Sequence, residues 1–378
     1  MDIALPTTLL GGLTPQAFMR RHWQKKPLLV RRAFADVAPP LSRNALFALA
    51  ARDDVESRLV EHRDSGWTLR HGPFSRRQLP GVQRPRWTLL VQGADLHVDA
   101  AHELLARFRF VPDARLDDVM ISYATDGGGV GPHYDSYDVF LLQVQGRRRW
   151  RVGRLDDRTL VPDVPLKILA SFQPQEEWLL EPGDMLYLPP RWGHDGVAEG
   201  ECMTCSIGFR AAARDEAGRE VLQRLLDAEP SDAAQPLYRD ASQAATDTPA
   251  RIPAALQSFG VEAVARLVEN PKGLACALGE WLSEPKPRVS FEGGMPLRDA
   301  GGVTLDRRTK MLYDDDHVYI NGESYRASGT DMSLMRRLAD RRRLQSREWR
   351  RASDAARRLL GEWAHAGWLH ADDDMEDA

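Results

Sequence analysis

Residues two apart in an extended segment point to the same side. His133 and Asp135 of Gly131-Pro132-His133-Tyr134-Asp135 can therefore converge on one point. A second passage supplies a third group. Pro182-Gly183-Asp184 leads through the apolar Met185-Leu186-Tyr187-Leu188 to Pro189-Pro190-Arg191-Trp192-Gly193-His194, and a strand returning across a barrel can bring His194 to the pair. Two imidazoles and one carboxylate on one face of a metal leave the opposite positions open. That is the facial triad of non-haem Fe(II) oxygenases, whose open sites take co-substrate and dioxygen. A bare His-x-Asp is common by chance; the Pro-Gly-Asp turn, apolar strand, proline and histidine give this one a specific context. His133, Asp135 and His194 are the candidate metal ligands and catalytic centre. Asp195 is either a partner for an imidazole N–H or a turn residue.

The segment Gly146-Arg147-Arg148-Arg149-Trp150-Arg151-Val152 carries the next clue. As a strand it puts Arg148, Trp150 and Val152 on one face and Arg147, Arg149 and Arg151 on the other. The apolar companions place Arg148 inward. A buried guanidinium needs a paired anion, and its planar fork suits a carboxylate. Near an iron site a dicarboxylate co-substrate would supply that anion; an internal Asp or Glu, or an exposed arginine patch if the register slips, is the alternative. Ser122, on the strand before the His-x-Asp loop, can add a hydroxyl hydrogen bond to the same carboxylate.

These residues need a scaffold of strands. From Trp87 to Phe209 the chain runs in short β-type pieces, Trp87–Val91, Val119–Tyr123, Val139–Val144 and Met203–Phe209, separated by Gly- and Pro-rich turns. Short strands with frequent turns predict an antiparallel barrel or sandwich rather than a parallel βαβ sheet. The first ~85 residues mix helical signals with short apolar runs. Past Arg210, helices are expected over Asp215–Glu229, Ala254–Glu269 and Pro271–Ser283, with a linker-like stretch from Pro230 to Pro253. Val318 to Tyr325, with Asn321-Gly322 as a type I′ turn, reads as a hairpin. Helices follow over Asp331–Leu344 and Ser353–His365.

The 378 residues suffice for two or three domains. Lys plus Arg number 51 against 55 Asp plus Glu, a net charge of −4, so binding nucleic acid through bulk charge is excluded while a local basic face is not. No apolar run approaches the ~18 residues of a membrane span. The start of the chain lacks the marks of a secretory signal, and three cysteines form no disulfide framework, so a reducing cytoplasm is expected.

The spans Ser122–Val152 and Pro182–Phe209 resemble the bacterial JmjC-type cupin oxygenases. They are most similar to the ribosomal oxygenases that hydroxylate an arginine of large-subunit ribosomal protein sixteen. The resemblance rests on Gly127-Gly128-Gly129-Val130-Gly131-Pro132-His133-Tyr134-Asp135, Tyr137-Asp138-Val139-Phe140 and Gly146 to Gly153, with Phe18, Trp23 and Lys26-Pro27-Leu28 near the start. It implies that His133, Asp135 and His194 bind Fe(II), and that Arg148 and Ser122 hold 2-oxoglutarate, with dioxygen as the second co-substrate. It implies a mainly β chain with α elements. A double-stranded β-helix (cupin/JmjC) catalytic domain would fill 1–210, a helical dimerisation segment 211–283, and a winged-helix-like domain 284–378. The implied partners are a ribosomal protein substrate and a second copy of the chain, with no membrane. A cationic substrate side chain would want acidic or aromatic company at the pocket mouth, and Asp126, Tyr134, Tyr137 and Asp138 are the candidates. The family carries a Tyr or similar residue where this chain reads Cys202-Met203-Thr204-Cys205-Ser206. A histidyl hydroxylase, a lysyl demethylase, and a transcriptional regulator with a cupin sensor and winged-helix DNA reader stay open beside the arginine hydroxylase.

Other features have plainer readings. Cys202 and Cys205 face opposite sides of a strand and lack a second pair, so they read as structural rather than as a zinc or redox site. Cys276 reads as helix core. The arginines between Arg336 and Arg351 read as a solvated helix face before a phosphate-binding one, and acids at Asp314–Asp316 and Asp372–Asp374 interrupt any nucleic-acid surface. The apolar stripes with Leu222, Leu225, Leu226, Leu256, Val264, Leu267 and Leu274 either pack on the barrel or form a dimer interface.

Overall fold

The computed structural model describes residues 2–227, 236–297 and 301–372. The chain divides into two compact units, 1–211 and 212–378. In the first, α1 (Pro15–Arg21), β1 (Leu28–Val30) and α2 (Arg43–Leu49) precede β2 (Ser57–Arg63), β3 (Gly66–His71), β4 (Trp87–Val91) and α3 (Asp99–Ala106). Then come β5 (Leu116–Ala124), β6 (His133–Tyr134), β7 (Asp138–Arg154), β8 (Glu176–Leu180), β9 (Met185–Leu188) and β10 (Trp192–Phe209). The strands form one sheet in the order β1-β9-β7-β10-β5-β4-β2-β3, with β6 also paired to β10 and β8 to β7. Every pairing is antiparallel, as the turn-rich sequence predicts.

The two faces of this sheet carry different cores. On one, Val119, Ile121 and Tyr123 of β5, Phe140 and Leu142 of β7, and Cys205, Ile207 and Phe209 of β10 pack with Phe18 of α1, Phe47 of α2 and Leu104 of α3. Aromatic rings fill its centre: Phe18–Tyr187, Phe108–Phe140 and Phe140–Tyr187 each stand 4.9 Å apart between centroids. Such pairs add about 0.5–1.5 kcal/mol each beyond the area they bury. On the other face, Val139, Leu141, Trp150, Val152, Leu180, Leu186 and Leu188 form a second cluster, the lining of the barrel.

That second cluster contains odd-numbered residues of β7 before position 146 and even-numbered ones after it. Strand alternation alone forbids this, and a β-bulge explains it. Gly146 adopts φ +63°, and a Cβ there would lie 2.1 Å from the Glu201 carbonyl oxygen. The pairing of β7 with β10 shifts register between Glu199 and Met203, beside that glycine. The extra residue turns Arg148, rather than Arg147, toward the interior.

The second unit begins with α4 (Arg214–Asp227), α5 (Ala254–Val268) and α6 (Pro271–Ser283). Positions 228–235, where the expected linker begins, lie outside the described residues, and 236–253 contain no helix or strand. Next are β11 (Gly302–Leu305), β12 (Met311–Tyr313), β13 (His317–Ile320), β14 (Glu323–Arg326) and α7 (Gly329–Arg341). The chain ends in β15 (Arg343–Leu344), α8 (Ser346–Trp349), α9 (Asp354–His365) and β16 (Leu369–Asp372). Two three-stranded sheets, β15-β11-β16 and β12-β13-β14, cover a core built on Leu338, Trp349, Leu360 and Trp363. Asn321 and Gly322 both take positive φ between β13 and β14, as the hairpin signal requires. Helix α6 packs on that hairpin: the Tyr319 hydroxyl reaches the Ala275 carbonyl, and Gly322 N–H donates to the Ser283 hydroxyl at 3.1 Å. No helix among the described residues is long and apolar enough to cross a membrane.

Candidate active site

Strand β10 pairs with both β6 and β7 at one point, setting His194 opposite His133 on one side and opposite Val152 on the other. One potential ligand atom from each of His133, Asp135 and His194 lies within 4.8 Å of the others. The two imidazole centroids are 4.2 Å apart, and His194 Nε2 is 3.6 Å from Asp135 Oδ2. Backbone carbonyls orient both rings: His133 Nδ1 donates to Gly131 O at 2.9 Å and His194 Nδ1 to Trp192 O at 3.0 Å. A carbonyl can only accept, so each Nδ1 carries the proton and each Nε2 keeps its lone pair for a metal. Burial and the neighbouring His133 hold the His194 imidazole down to about 4, against the opposing pull of Asp135 and the Trp192 carbonyl. It is neutral near pH 7, the form that ligates. Asp195 does not orient either imidazole; it points to the other face and lies 3.8 Å from Arg151 Nη2.

Arg148 is 5% exposed and stands opposite Ala198 on the face that carries His194 and Val152. Four residues of strand, about 13 Å, separate it from Val152. Its neighbours Arg147, Arg149 and Arg151 point outward and pair with Glu199, Glu177 and Asp195. Arg148 has no such partner: its Nε and Nη2 are buried with no hydrogen-bond acceptor among the described residues. An interior cation with two unused donors is the cradle a carboxylate fits. Among the described residues, no Asp or Glu of the kind weighed as an alternative pairs with this guanidinium. Ser122 is buried too, opposite Thr204, and its hydroxyl donates to Thr204 O at 3.3 Å.

Of the mouth candidates, Asp126 is exposed and accepts from Gly200 N–H at 2.8 Å. Tyr134 is half-buried beside the Arg158 guanidinium, 5.9 Å from its ring centre, and Tyr137 is 40% exposed. Asp138 is a correction. It is fully buried, accepting from the Tyr187 hydroxyl at 2.6 Å, Gln24 Nε2 at 3.2 Å and Arg115 at 3.4 Å. Those partners tie the start of β7 to β9 and the N-terminal region, so its carboxylate is unavailable to a substrate.

Sequence reasoning did not single out Thr204, Gln143 or the Trp150 indole N–H. Thr204 and Gln143 are buried and bonded to each other at 2.8 Å, next to Ser122. Periodicity marks such positions as interior; nothing local marks them as polar neighbours across strands. Cys202 and Cys205 fall in different clusters of the sheet, and burial pushes the Cys205 thiol up to about 12. Cys276 is half-buried rather than core, with its thiol 3.8 Å from Glu280.

A barrel of antiparallel strands with an imidazole–imidazole–carboxylate cluster and a buried, anion-free arginine on its inner wall defines a class: the Fe(II)- and 2-oxoglutarate-dependent oxygenases. Comparison with known proteins agrees. A JmjC domain model matches residues 103–217, and a ROXA-like winged-helix model matches 266–370. The chain is 36% identical over 321 residues to ribosomal protein uL16 3-hydroxylase of Escherichia coli K12, covering 81% of this chain and 84% of that one. It is 37% identical over 215 residues to a probable ribosomal oxygenase of Haemophilus influenzae, covering 56% of this chain and 52% of that one. Among solved structures it matches E. coli YcfD with a TM-score of 0.84 at 30% identity, covering 95% of this chain and 98% of that one. It also matches YcfD in complex with cobalt and 2-oxoglutarate, at a TM-score of 0.78 and 31% identity, with the same coverage. The chain belongs to the JmjC-domain ribosomal oxygenases, with a winged-helix domain of the ROXA type, and is an enzyme that uses Fe(II), 2-oxoglutarate and dioxygen.

Proposed function

We propose that this enzyme hydroxylates an arginine of ribosomal protein uL16, in the cytoplasm, with His133, Asp135 and His194 holding Fe(II) and Arg148 with Ser122 holding 2-oxoglutarate. The observation that carries the site is the pairing of two carbonyl-oriented imidazoles with an interior guanidinium that lacks an anion. When bound, the iron lets dioxygen put one oxygen atom into a substrate C–H bond and the other into succinate, with loss of carbon dioxide from 2-oxoglutarate. The chain's own residues do the rest. Arg148 fixes the far carboxylate, the carbonyls of Gly131 and Trp192 keep both Nε2 atoms aimed inward, and the apolar lining from Val139 to Leu188 excludes water. The uL16 assignment is supported by the relative that bears that name.

At the mouth, Asp126 and Tyr137 offer a carboxylate and an exposed aromatic face to a cationic side chain. A regulator has no use for a carboxylate clamp inside its barrel. Three regions divide the work: a catalytic barrel over 1–210, a helical dimerisation segment over 211–283, and a terminal module over 284–378. Leu226, Val264 and Leu267 in the helical segment are 63%, 60% and 44% exposed, a surface suited to a second copy of the chain. The terminal arginines do not favour nucleic acid. Arg336 bonds the Asp314 carbonyl, Arg337 and Arg341 pair with Glu348, and Arg342 bonds the carbonyls of Asp306 and Thr309. Of the acids at 372–374, only Asp372 lies within the described residues.

Succinate release from wild-type protein with Fe(II), 2-oxoglutarate and purified uL16 tests the reading. Release should depend on uL16 and vanish in His133→Ala. Equal release with and without uL16 would remove the substrate assignment. Full uL16-dependent turnover in both Asp126→Asn and Tyr137→Ala would remove the mouth residues.

A further inference from the structure

Three buried donors on the inner face of β7 lack an acceptor among the described residues: Nε and Nη2 of Arg148, and Nε1 of Trp150. The proposed clamp gives the guanidinium its anion and leaves the indole N–H unexplained. Trp150 is 5% exposed, and phenylalanine would fill such a site with no polar atom to satisfy. The ring lies with its face on β10. Its Cζ3, Cη2 and Cε3 atoms lie 2.6, 2.7 and 2.9 Å from where a Cβ on Gly196 would stand, near-equal distances that put the face of the benzo ring over the β10 backbone. Nε1 belongs to the five-membered ring, beyond the atoms that rest on Gly196. The ring centroid is 5.9 Å from that of His194, and Arg148 Cζ is 5.8 Å from the indole ring, so the indole lies between the metal-facing imidazole and the clamp. Arg148 and Trp150 are two apart on one strand, and the Gly146 bulge turns both inward together.

We infer that the Trp150 Nε1–H donates a hydrogen bond to the far carboxylate of bound 2-oxoglutarate, the group Arg148 holds. An ionised carboxylate offers about four acceptor positions, so two guanidinium donors leave room for the indole. The inference rests on the reading of Arg148 as the clamp, and it makes Trp150 a binding residue and not only a wall of the barrel.

Trp150→Phe tests it, in the full chain loaded with cobalt, by calorimetric titration. A lost hydrogen bond to a charged group should weaken 2-oxoglutarate about ten-fold. Succinate, which shares the far carboxylate, should weaken by the same factor, and cobalt affinity without co-substrate should be unchanged. A loss below about three-fold for both ligands overturns the inference. A second readout uses the wild-type protein loaded with zinc and labelled with ¹⁵N at its indoles. The Trp150 N–H signal, assigned by its absence in the variant (Trp150→Tyr if the Phe variant does not fold), should move downfield on adding 2-oxoglutarate. An unmoved signal also overturns the inference. Arg148→Met separates the two levels. If it keeps 2-oxoglutarate affinity, the clamp itself fails; if it loses affinity while Trp150→Phe does not, only the indole's role falls.

Discussion

Replacing Arg148 by methionine separates what this guanidinium does for folding from what it does for binding. The side chain is 5% exposed with two donors unused, so in the absence of co-substrate it is a desolvated charge without compensation. Exchanging buried ionic groups for apolar ones of similar volume is neutral or stabilising by about 1–4 kcal/mol. In a unit of this size each kcal/mol moves Tm by about 2–4 °C, so metal-loaded Arg148→Met without 2-oxoglutarate should melt at or several degrees above the wild type. Binding should respond in the opposite direction. Removing one partner of a buried charge pair costs about 2–5 kcal/mol, which converts to a loss of roughly 30-fold to several thousand-fold in 2-oxoglutarate affinity. Wild-type protein at 100 times its own Kd gains about 2.7 kcal/mol from the ligand. The variant at the same concentration should gain almost none over most of that range. Differential scanning calorimetry with and without 2-oxoglutarate reads both effects. A variant that melts well below the wild type and keeps the full ligand-induced rise would refute the reasoning.

Three further outcomes follow from other parts of the molecule. Gly196→Ala puts a methyl group 2.6–2.9 Å from the Trp150 ring, and overpacking of this kind costs about 1–3 kcal/mol, so Tm should fall by several degrees; an unchanged Tm would show that the indole moves freely. In the terminal unit, burial alone would raise the Asp306 carboxyl. Hydrogen bonds from the Arg308 side chain, His370 and the Arg308 N–H outweigh burial and hold it down to about 2. A depressed carboxyl stabilises the fold above its unfolded value near 4, and that contribution, about 2 kcal/mol, is lost as pH falls toward 2. Acid unfolding of the full chain, followed by tryptophan fluorescence, should therefore be steeper between pH 4 and 2 in the wild type than in Asp306→Asn; matching curves would contradict this. Thiol titration of the native protein should modify Cys276 first and reach Cys202 and Cys205 only on unfolding, because both are buried in the sheet. Rapid modification of three thiols would say otherwise.

The metal cluster was legible because local geometry writes it. His133 and Asp135 are two apart, and the return to His194 runs through a turn, a short strand and a proline pair. Arg148 was legible through its companions Trp150 and Val152, since alternation within one stretch needs no knowledge of partners. The bulge that gives this alternation its direction was not. Gly146 alone does not announce a reversal of parity; the approach of the Glu201 carbonyl from a strand 55 residues later makes glycine necessary there. Asp138 shows the opposite failure. Placed three residues past Asp135, it looked like a mouth acid, yet Arg115, Gln24 and Tyr187 reach it from three distant segments and bury it. Ser122, Thr204 and Gln143 adjoin one another only because β5, β10 and β7 lie side by side. Contacts made by register across long separations are beyond a reading that moves along the chain.

The most direct test of the central claim is mass spectrometry of uL16 after incubation with the enzyme, Fe(II), 2-oxoglutarate and air. The account predicts one added oxygen atom on an arginine of uL16, formed in equal number with succinate and absent with His133→Ala. Succinate formed while uL16 stays unmodified, or an oxygen found on a histidine instead of an arginine, would contradict it.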